Sequence, residues 1–137
     1  MSEALPDLPI LNRSTVPPDG LVLVPTPIGN LGDMTLRAIA TLKAADLVLC
    51  EDTRVTARLL TAYGIRVATA ALHDHNEDQR IPALLDRLRD GQRIALVSDA
   101  GTPLVSDPGY RLVRAVLEAG LKVSALPGPN AALTDGL

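Results

Sequence analysis

The segment RIALVSDAGT, residues 93–102, combines two features that decide the fold. Its first part, Arg93–Ser98, contains an unbroken apolar run with no polar residue at alternate positions. A strand that is apolar on both sides is covered on both faces, as in a parallel sheet. Its second part, beginning at Asp99, is polar and small. The segment therefore predicts a central parallel strand whose carboxyl end opens onto a turn.

The same pattern recurs on both sides of this segment. Apolar, β-branched runs predict further strands at Leu21–Pro25, Leu47–Glu51, Arg66–Leu72 and Leu121–Leu126. Stretches of helical period alternate with them and predict helices at Thr35–Ala45, Thr53–Tyr63, a segment including Ile81–Leu88, and Tyr110–Ala119, with a further helix beginning near Pro129–Asn130. Asp33 is the expected N-cap of the first helix, and Pro82 indicates that the third begins late or irregularly. This alternation predicts an α/β protein with an open, mainly parallel sheet and helices on both faces.

Composition limits the possible classes of protein. The chain has 137 residues, of which 47% are hydrophobic and 21% charged, as expected for one globular domain. Residues 1–19 hold four prolines without periodicity and predict a flexible leader before a domain at 20–137. With no long apolar run and no signal peptide, the sequence predicts a cytoplasmic protein that does not enter a membrane. One cysteine, Cys50, excludes an internal disulfide and a multi-cysteine zinc site.

The charge balance and the aromatic content bear on nucleic-acid binding. Thirteen basic residues against sixteen acidic ones give a net charge of −3, unlike a domain that wraps a nucleic-acid backbone by itself. Two tyrosines and no phenylalanine or tryptophan nearly exclude a stacking platform for single strands. Arg54 and Arg58, one helical turn apart, would contact phosphates or would simply form a solvated helix face.

Most of the polar, glycine and proline content follows the predicted strands. In open α/β sheets, ligands bind outside the carboxyl ends of the strands, so these turns mark the candidate site. The first turn contains GNLGD, which is neither a dinucleotide fingerprint nor a phosphate-binding loop. Its glycines and prolines either help to bind an anion at the start of the helix or only allow the tight connection between strand and helix. Asp99 likewise either binds a ligand or caps its own turn.

Other candidate groups also allow two interpretations. His73 and His75 would share one face of a strand and suggest a metal, but closed zinc sites need three or four ligands, so no metal site is predicted. Asn76 either acts at the site or caps the following helix. Cys50 lies in an apolar run and is expected in the core rather than as a nucleophile.

Five segments in register resemble one family. They are PTPIGNLGDMTLRA (25–38), EDTR (51–54), LHDHNE (72–77), VSDAGTPLVSDPGYRLV (97–113) and LPGPNAALT (126–134). Together they resemble the ribosomal RNA small subunit methyltransferase I family, within the tetrapyrrole (corrin/porphyrin) methylase superfamily. The resemblance covers the chain from about Leu21 to Thr134.

The resemblance implies an S-adenosylmethionine-dependent methyltransferase that modifies the 2′-hydroxyl of a cytidine in 16S ribosomal RNA of the 30S subunit. It also implies a homodimer of two-domain protomers, of which this chain resembles the N-terminal domain without the C-terminal one. By position in the motifs, the residues implied to bind the methyl donor are Pro25, Thr26, Ser98, Asp99, Ala100, Gly101, Thr102, Val105, Ser106, Asn130 and Ala131.

A ribose hydroxyl is a weak nucleophile, so a proton acceptor or a hydrogen-bond network is expected beside it. The candidates are Asp52, Glu51 and His73, with Asn76 as an orienting group, and the sequence does not choose between them. Two alternatives stay open. One is a methylase of a tetrapyrrole intermediate, and the other is a non-catalytic half-site or dimerisation fragment.

Overall fold

The computed structural model describes residues 19–26, 34–73, 75–99 and 109–127. The strands are β1 (Leu21–Thr26), β2 (Leu47–Cys50), β3 (Thr69–Ala71), β4 (Ile94–Asp99) and β5 (Val123–Ala125). The helices are α1 (Leu36–Ala44), α2 (Thr53–Ala62), α3 (Glu77–Arg89) and α4 (Tyr110–Glu118). The remaining residues, including most of the predicted leader and the helix expected near Pro129–Asn130, lie outside the described part.

The described strands form one parallel sheet in the order β3-β2-β4-β1-β5. From β1 through β2 to β3 the chain progresses towards one side of the sheet, and from β3 through β4 to β5 it returns. Because crossovers between parallel strands are right-handed, this reversal places α1 and α2 on one face and α3 and α4 on the other. The predicted α/β class, with helices on both faces, is confirmed.

Two buried clusters hold these layers together, and alternate strand residues supply them. Leu21 and Leu23 pack with residues of α3 and α4, whereas Val22 and Val24 pack with residues of α1 and α2. Side chains of a strand alternate between its faces, so each core strand must be apolar throughout. This explains the continuous apolar runs from which the sheet was predicted.

Several local predictions are wrong in detail. The α1 N-cap is Thr35 rather than Asp33, since the Thr35 hydroxyl accepts a hydrogen bond from the Ala38 N–H. Helix α3 begins at Glu77 and continues through Pro82, so proline does not delay its start. Helical period places Leu117 with the apolar residues of α4, but it is 58% exposed, because Leu112 and Val116, with the partly buried Val113, form the side that packs against the core.

Candidate active site at the carboxyl edge of the sheet

The candidate site is centred on the ends of β1 and β4, which terminate side by side. Thr26 lies opposite Asp99 and Pro25 lies opposite Ser98 in the parallel register. The Thr26 hydroxyl, which is buried, donates a hydrogen bond of 3.1 Å to the Ser98 carbonyl oxygen. The structure therefore brings together four of the residues implied to bind the methyl donor.

The topology makes the ends of β1 and β4 a switch point. After β1 the chain goes to α1 on one face of the sheet, and after β4 it goes to α4 on the other. Adjacent strands whose connections leave to opposite faces define the switch point at which open α/β sheets bind ligands. The other predicted donor residues, Ala100, Gly101, Thr102, Val105, Ser106, Asn130 and Ala131, lie outside the described part of the chain.

The candidate proton acceptors occupy the other half of the same edge. Cys50 ends β2, and the exposed residues Glu51 and Asp52 follow it directly. His73 follows β3, which is separated from β4 by β2 alone. Because neighbouring strands lie about 4.8 Å apart, the ends of β3 and β4 are about 10 Å apart. The two groups of candidates thus lie next to each other without overlapping.

Asp52 is the N-cap of α2. Its carboxylate accepts a hydrogen bond of 2.9 Å from the Arg54 N–H and lies 3.5 Å from the Arg54 guanidinium Nε. The backbone hydrogen bond first, and the guanidinium second, lower the pKa of Asp52 below its usual range. A carboxylate with a lowered pKa is a weaker base, so this geometry suits a structural cap better than a proton acceptor.

Asn76 organises the turn between β3 and α3. Its side chain does not cap α3, although Asn76 occupies the N-cap position. Instead, its Oδ1 accepts a 2.8 Å bond from the His73 N–H, and its Nδ2 donates a 3.0 Å bond to the Ala71 carbonyl. Asn76 thereby fixes the backbone that carries His73, and its role as an orienting group at the site stays a prediction.

Sequence reasoning did not identify Glu77 as a site residue. Glu77 is fully buried, and its Oε2 accepts hydrogen bonds from the Gly109 N–H at 3.1 Å and the Leu112 N–H at 2.8 Å. It therefore caps α4 from the first turn of α3. Asp78 adds an ion pair of 3.4 Å to Arg111 between the same two helix starts. The only sequence signal was its place at the end of the LHDHNE segment.

The remaining candidates have simpler roles. Cys50 is buried and burial raises the pKa of its thiol, as expected for a core residue. The rings of His73 and His75 contact each other edge to face at 5.8 Å, and no group of three potential metal ligands occurs within the described ranges. A shallow depression on α2, lined by Ala57, Arg58, Thr61 and Ala62, lies outside the carboxyl edge.

The fold and this edge define an open α/β domain with a topological switch point between β1 and β4. A family model described as Tetrapyrrole (Corrin/Porphyrin) Methylases matches residues 20–134, and the chain belongs to that family. No helix in the ranges that the structure covers is long and apolar enough to span a bilayer.

Curated relatives carry one name. The chain is 60% identical over 114 residues to "Ribosomal RNA small subunit methyltransferase I" of Escherichia coli O157:H7, a match covering 83% of this chain and 40% of the relative. It is 59% identical over 113 residues to the protein of the same name from Mesorhizobium japonicum, covering 82% and 38%. The chain thus spans about 40% of the length of these relatives. The resemblance inferred from the five motifs is confirmed.

Solved structures share the fold. Uroporphyrin III C-methyltransferase from Thermus thermophilus matches with a TM-score of 0.59 at 25% identity, over 85% of this chain and 52% of that one. Cobalt precorrin-4 methyltransferase, a cobalamin biosynthetic enzyme, matches with a TM-score of 0.64 at 18% identity, over 79% and 45%. The second likeness concerns the fold alone.

Proposed function

We propose that this chain is the donor-binding domain of an S-adenosylmethionine-dependent methyltransferase that methylates the 2′-hydroxyl of a cytidine in 16S ribosomal RNA. The observation that carries the proposal is the 60% identity over 114 residues to a relative named for ribosomal RNA methylation. The geometry supports it, because one edge of the sheet offers adjoining places for a donor and an acceptor.

The donor place lies above β1 and β4. When bound, S-adenosylmethionine supplies a methyl group on a positively charged sulfur, which an oxygen nucleophile can displace. The residues at the two strand ends are compatible with such a group: Asp99, an acidic residue, is paired with Thr26 in the strand register, and the bond from Thr26 to Ser98 holds the two strand ends in register. Beyond the described residues, Ala100, Gly101 and Asn130 would complete this place.

The acceptor place lies above β2 and β3, and His73 is the favoured proton acceptor there. Asp52 is already engaged by Arg54 and its pKa is lowered, whereas His73 carries an imidazole on a turn that Asn76 fixes. His73 would accept the proton of the 2′-hydroxyl as the new oxygen–carbon bond forms. Glu51, exposed directly after β2, would contact the ribose or its neighbours. Holding the reacting groups in line is the main contribution of the domain.

The chain as a whole is acidic, so the RNA would be held by particular basic side chains beside this edge. Arg37, Arg54 and Arg58 are exposed on the α1 and α2 side of the sheet and are the candidates for phosphate contact. A homodimer acting on the 30S subunit in the cytoplasm completes the proposal.

A graft tests this function in the context of a longer protein. The matching 114 residues of the Escherichia coli relative are replaced by those of this chain. The graft is then incubated with labelled S-adenosylmethionine and 30S subunits that lack the modification. We expect label in 16S RNA, at a cytidine 2′-oxygen, and we expect Asp99→Ala in the graft to weaken donor binding without unfolding it. A folded graft that binds donor but leaves the RNA unlabelled would refute the RNA assignment.

A tetrapyrrole intermediate is the second candidate substrate. The 25% identity to uroporphyrin III C-methyltransferase favours it, although the identity to the ribosomal RNA enzymes is more than twice as high. Supplying the graft with a uroporphyrinogen in place of 30S subunits distinguishes the two.

The third alternative is a half-site without catalysis. Calorimetric titration of this chain with S-adenosylmethionine measures its affinity for the donor directly. A complete donor site would bind at micromolar concentration, and a half-site much more weakly.

A further inference from the structure

Two buried polar atoms near the acceptor place have no hydrogen-bond partner among the described residues. They are Nδ1 of His73 and Oε1 of Glu77. Buried polar groups are almost always hydrogen-bonded, so each such atom calls for an explanation. One is a ring nitrogen that can carry a proton and the other is a carboxylate oxygen that can accept it, so their chemistry is complementary.

The backbone places these two side chains on the same side of one helical turn. The His73 carbonyl oxygen accepts hydrogen bonds from the N–H groups of both Asn76 and Glu77, each at 3.0 Å. Side chains four residues apart in such a turn are neighbours, with their Cβ atoms about 5–6 Å apart. No direct hydrogen bond or ion pair between His73 and Glu77 occurs in the described part of the chain, so a link between the two atoms would have to pass through a third group.

Both side chains start from fixed positions. Oε2 of Glu77 is held by the two N–H groups at the start of α4, and the positive end of that helix favours a negative charge there. On the other side, the His73 N–H is held by Asn76 at 2.8 Å. His73 is half-buried while its Nδ1 is inaccessible to solvent, so the ring directs this nitrogen into the protein.

We propose that Glu77 is a positioning residue that fixes the tautomer of His73 through one bound water molecule between Oε1 and Nδ1. A buried water typically joins otherwise unsatisfied polar groups and makes about three hydrogen bonds. The water accepts a hydrogen bond from the Nδ1–H and donates one to the carboxylate, which leaves Nε2 as the ring nitrogen with a free lone pair. The inference rests on the proposed function only in assigning that lone pair to the 2′-hydroxyl proton.

Glu77→Gln is the sharpest variant. The glutamine oxygen still accepts hydrogen bonds from the N–H groups of Gly109 and Leu112. The glutamine NH2 group, however, now faces the water as a donor. The hydrogen-bond direction reverses, so Nδ1 becomes the acceptor and the proton moves to Nε2. In triads of carboxylate, histidine and serine, the corresponding change to an amide produces the wrong histidine tautomer and a large loss of kcat.

The direct test is nitrogen NMR of the neutral histidine rings in this chain. The chain has two histidines, so His75→Gln assigns the signals. We expect the His73 proton on Nδ1 in the wild type and on Nε2 in Glu77→Gln. Asp78→Asn is the matched control, since it removes a neighbouring carboxylate that pairs with Arg111 and should leave the tautomer unchanged. A wild-type proton on Nε2, or the same tautomer in wild type and Glu77→Gln, overturns the proposal.

Kinetics of the grafted enzyme separate this proposal from the proposed function. Glu77→Gln should lower kcat by about a hundred- to ten-thousand-fold, the range expected for loss of general base catalysis, with the KM for RNA and the donor Kd nearly unchanged. If Glu77→Gln does not fold, the wild-type tautomer alone decides the proposal. If Glu77→Gln changes the His73 tautomer but not kcat, the proposal that Glu77 fixes the tautomer stands, and the role of His73 as proton acceptor in the proposed function fails.

Discussion

The Thr26 hydroxyl donates a hydrogen bond of 3.1 Å to the carbonyl oxygen of Ser98, which joins the last residue of β1 to the end of β4. Thr26 is only 6% exposed, so this polar bond lies within the sheet rather than at its surface. The bond lies at the switch point, where the connections after β1 and β4 lead to opposite faces of the sheet. A hydroxyl with a fixed partner keeps the two strand ends level, which a donor site spanning both strands requires.

Replacing Thr26 by valine should weaken both stability and donor binding. Valine keeps the shape and removes the hydroxyl, so the Ser98 carbonyl loses a partner, at a cost of about 1 kcal/mol in unfolding free energy. Urea unfolding measures the stability, and calorimetry with S-adenosylmethionine measures the binding. Thr26→Ser is the control, because it retains the hydroxyl and should bind the donor better than Thr26→Val. Equal donor affinity in the two variants would show that this bond does not shape the crevice.

The N-cap carboxylate of Asp52 should make stability depend on pH at acid values. Its pKa is lowered in the folded chain, so its stabilising effect is complete above the unfolded value of about 3.9 and is lost as the pH falls through the folded pKa. Asp52→Asn keeps a good cap but cannot titrate. The difference in unfolding free energy between wild type and Asp52→Asn should therefore shrink as the pH is lowered from 6 to below about 3. A difference that stays constant over that range would show that the bond to Arg54 does not hold the carboxylate.

The Cys50 thiol should be unreactive in the folded chain. It is 2% exposed, and burial raises its pKa, so both access and the thiolate fraction are low. A disulfide reagent that releases a coloured thiolate at pH 8 should react slowly with the Cys50 thiol in buffer and completely in concentrated urea. Fast labelling in buffer, with the circular dichroism spectrum unchanged, would place the thiol at an open surface of β2.

The sheet could be predicted from the sequence because its signal is local. Each core strand faces two clusters, so every residue from Leu21 to Val24 is buried and the apolar run has no gaps. The ends of the edge strands differ from the prediction: β3 and β5 have only three residues each, fewer than the apolar runs from which they were predicted. Pairing with a neighbour determines where these edge strands end, and that information lies in another part of the chain.

The buried faces of the helices and the contacts of Glu77 could not be predicted from the local sequence. Leu36 and Val55 are 85% and 60% exposed, although both lie in segments of helical period, because packing against the sheet selects only one narrow stripe of each helix. Glu77 binds N–H groups that are 32 and 35 residues further along the chain. A contact of that separation leaves no pattern in the local sequence. The order of the strands at the edge, which places the candidate residues in two adjoining groups, was equally inaccessible before the topology was known.

Gly20 should tolerate no side chain, whereas Gly64 should. Both have positive φ angles, 79° and 67°, but a Cβ on Gly20 would lie 2.7 Å from the Lys122 carbonyl oxygen, and one on Gly64 would meet nothing within 4 Å. Gly64→Ala then costs only the backbone strain, about 1–2 kcal/mol. Gly20→Ala adds the close contact, for a total of about 2–5 kcal/mol. Urea unfolding of the two variants gives the comparison, and equal losses would mean that the segment containing Lys122, directly before β5, shifts to make room.

Arg58 should contribute to RNA affinity through a phosphate. It is exposed on α2, one turn beyond Arg54, on the side of the sheet that also carries Arg37. A phosphate contact releases counterions from the RNA, so its loss weakens binding and reduces the slope of log affinity against log salt by about 0.7–0.9. Binding of the Arg58→Ala graft to 30S subunits, measured at several salt concentrations, should show both effects.

Arg89→Ala is the matched control for this measurement. Arg89 is also exposed and basic, but it ends α3, which runs from the carboxyl edge towards the starts of the strands, and it pairs with Asp86 at 3.3 Å. Its removal should leave the salt dependence unchanged, because that end of the sheet faces away from the candidate site. If Arg58→Ala and Arg89→Ala behave alike, the contribution of Arg58 is that of overall charge, and the RNA must be held by other residues.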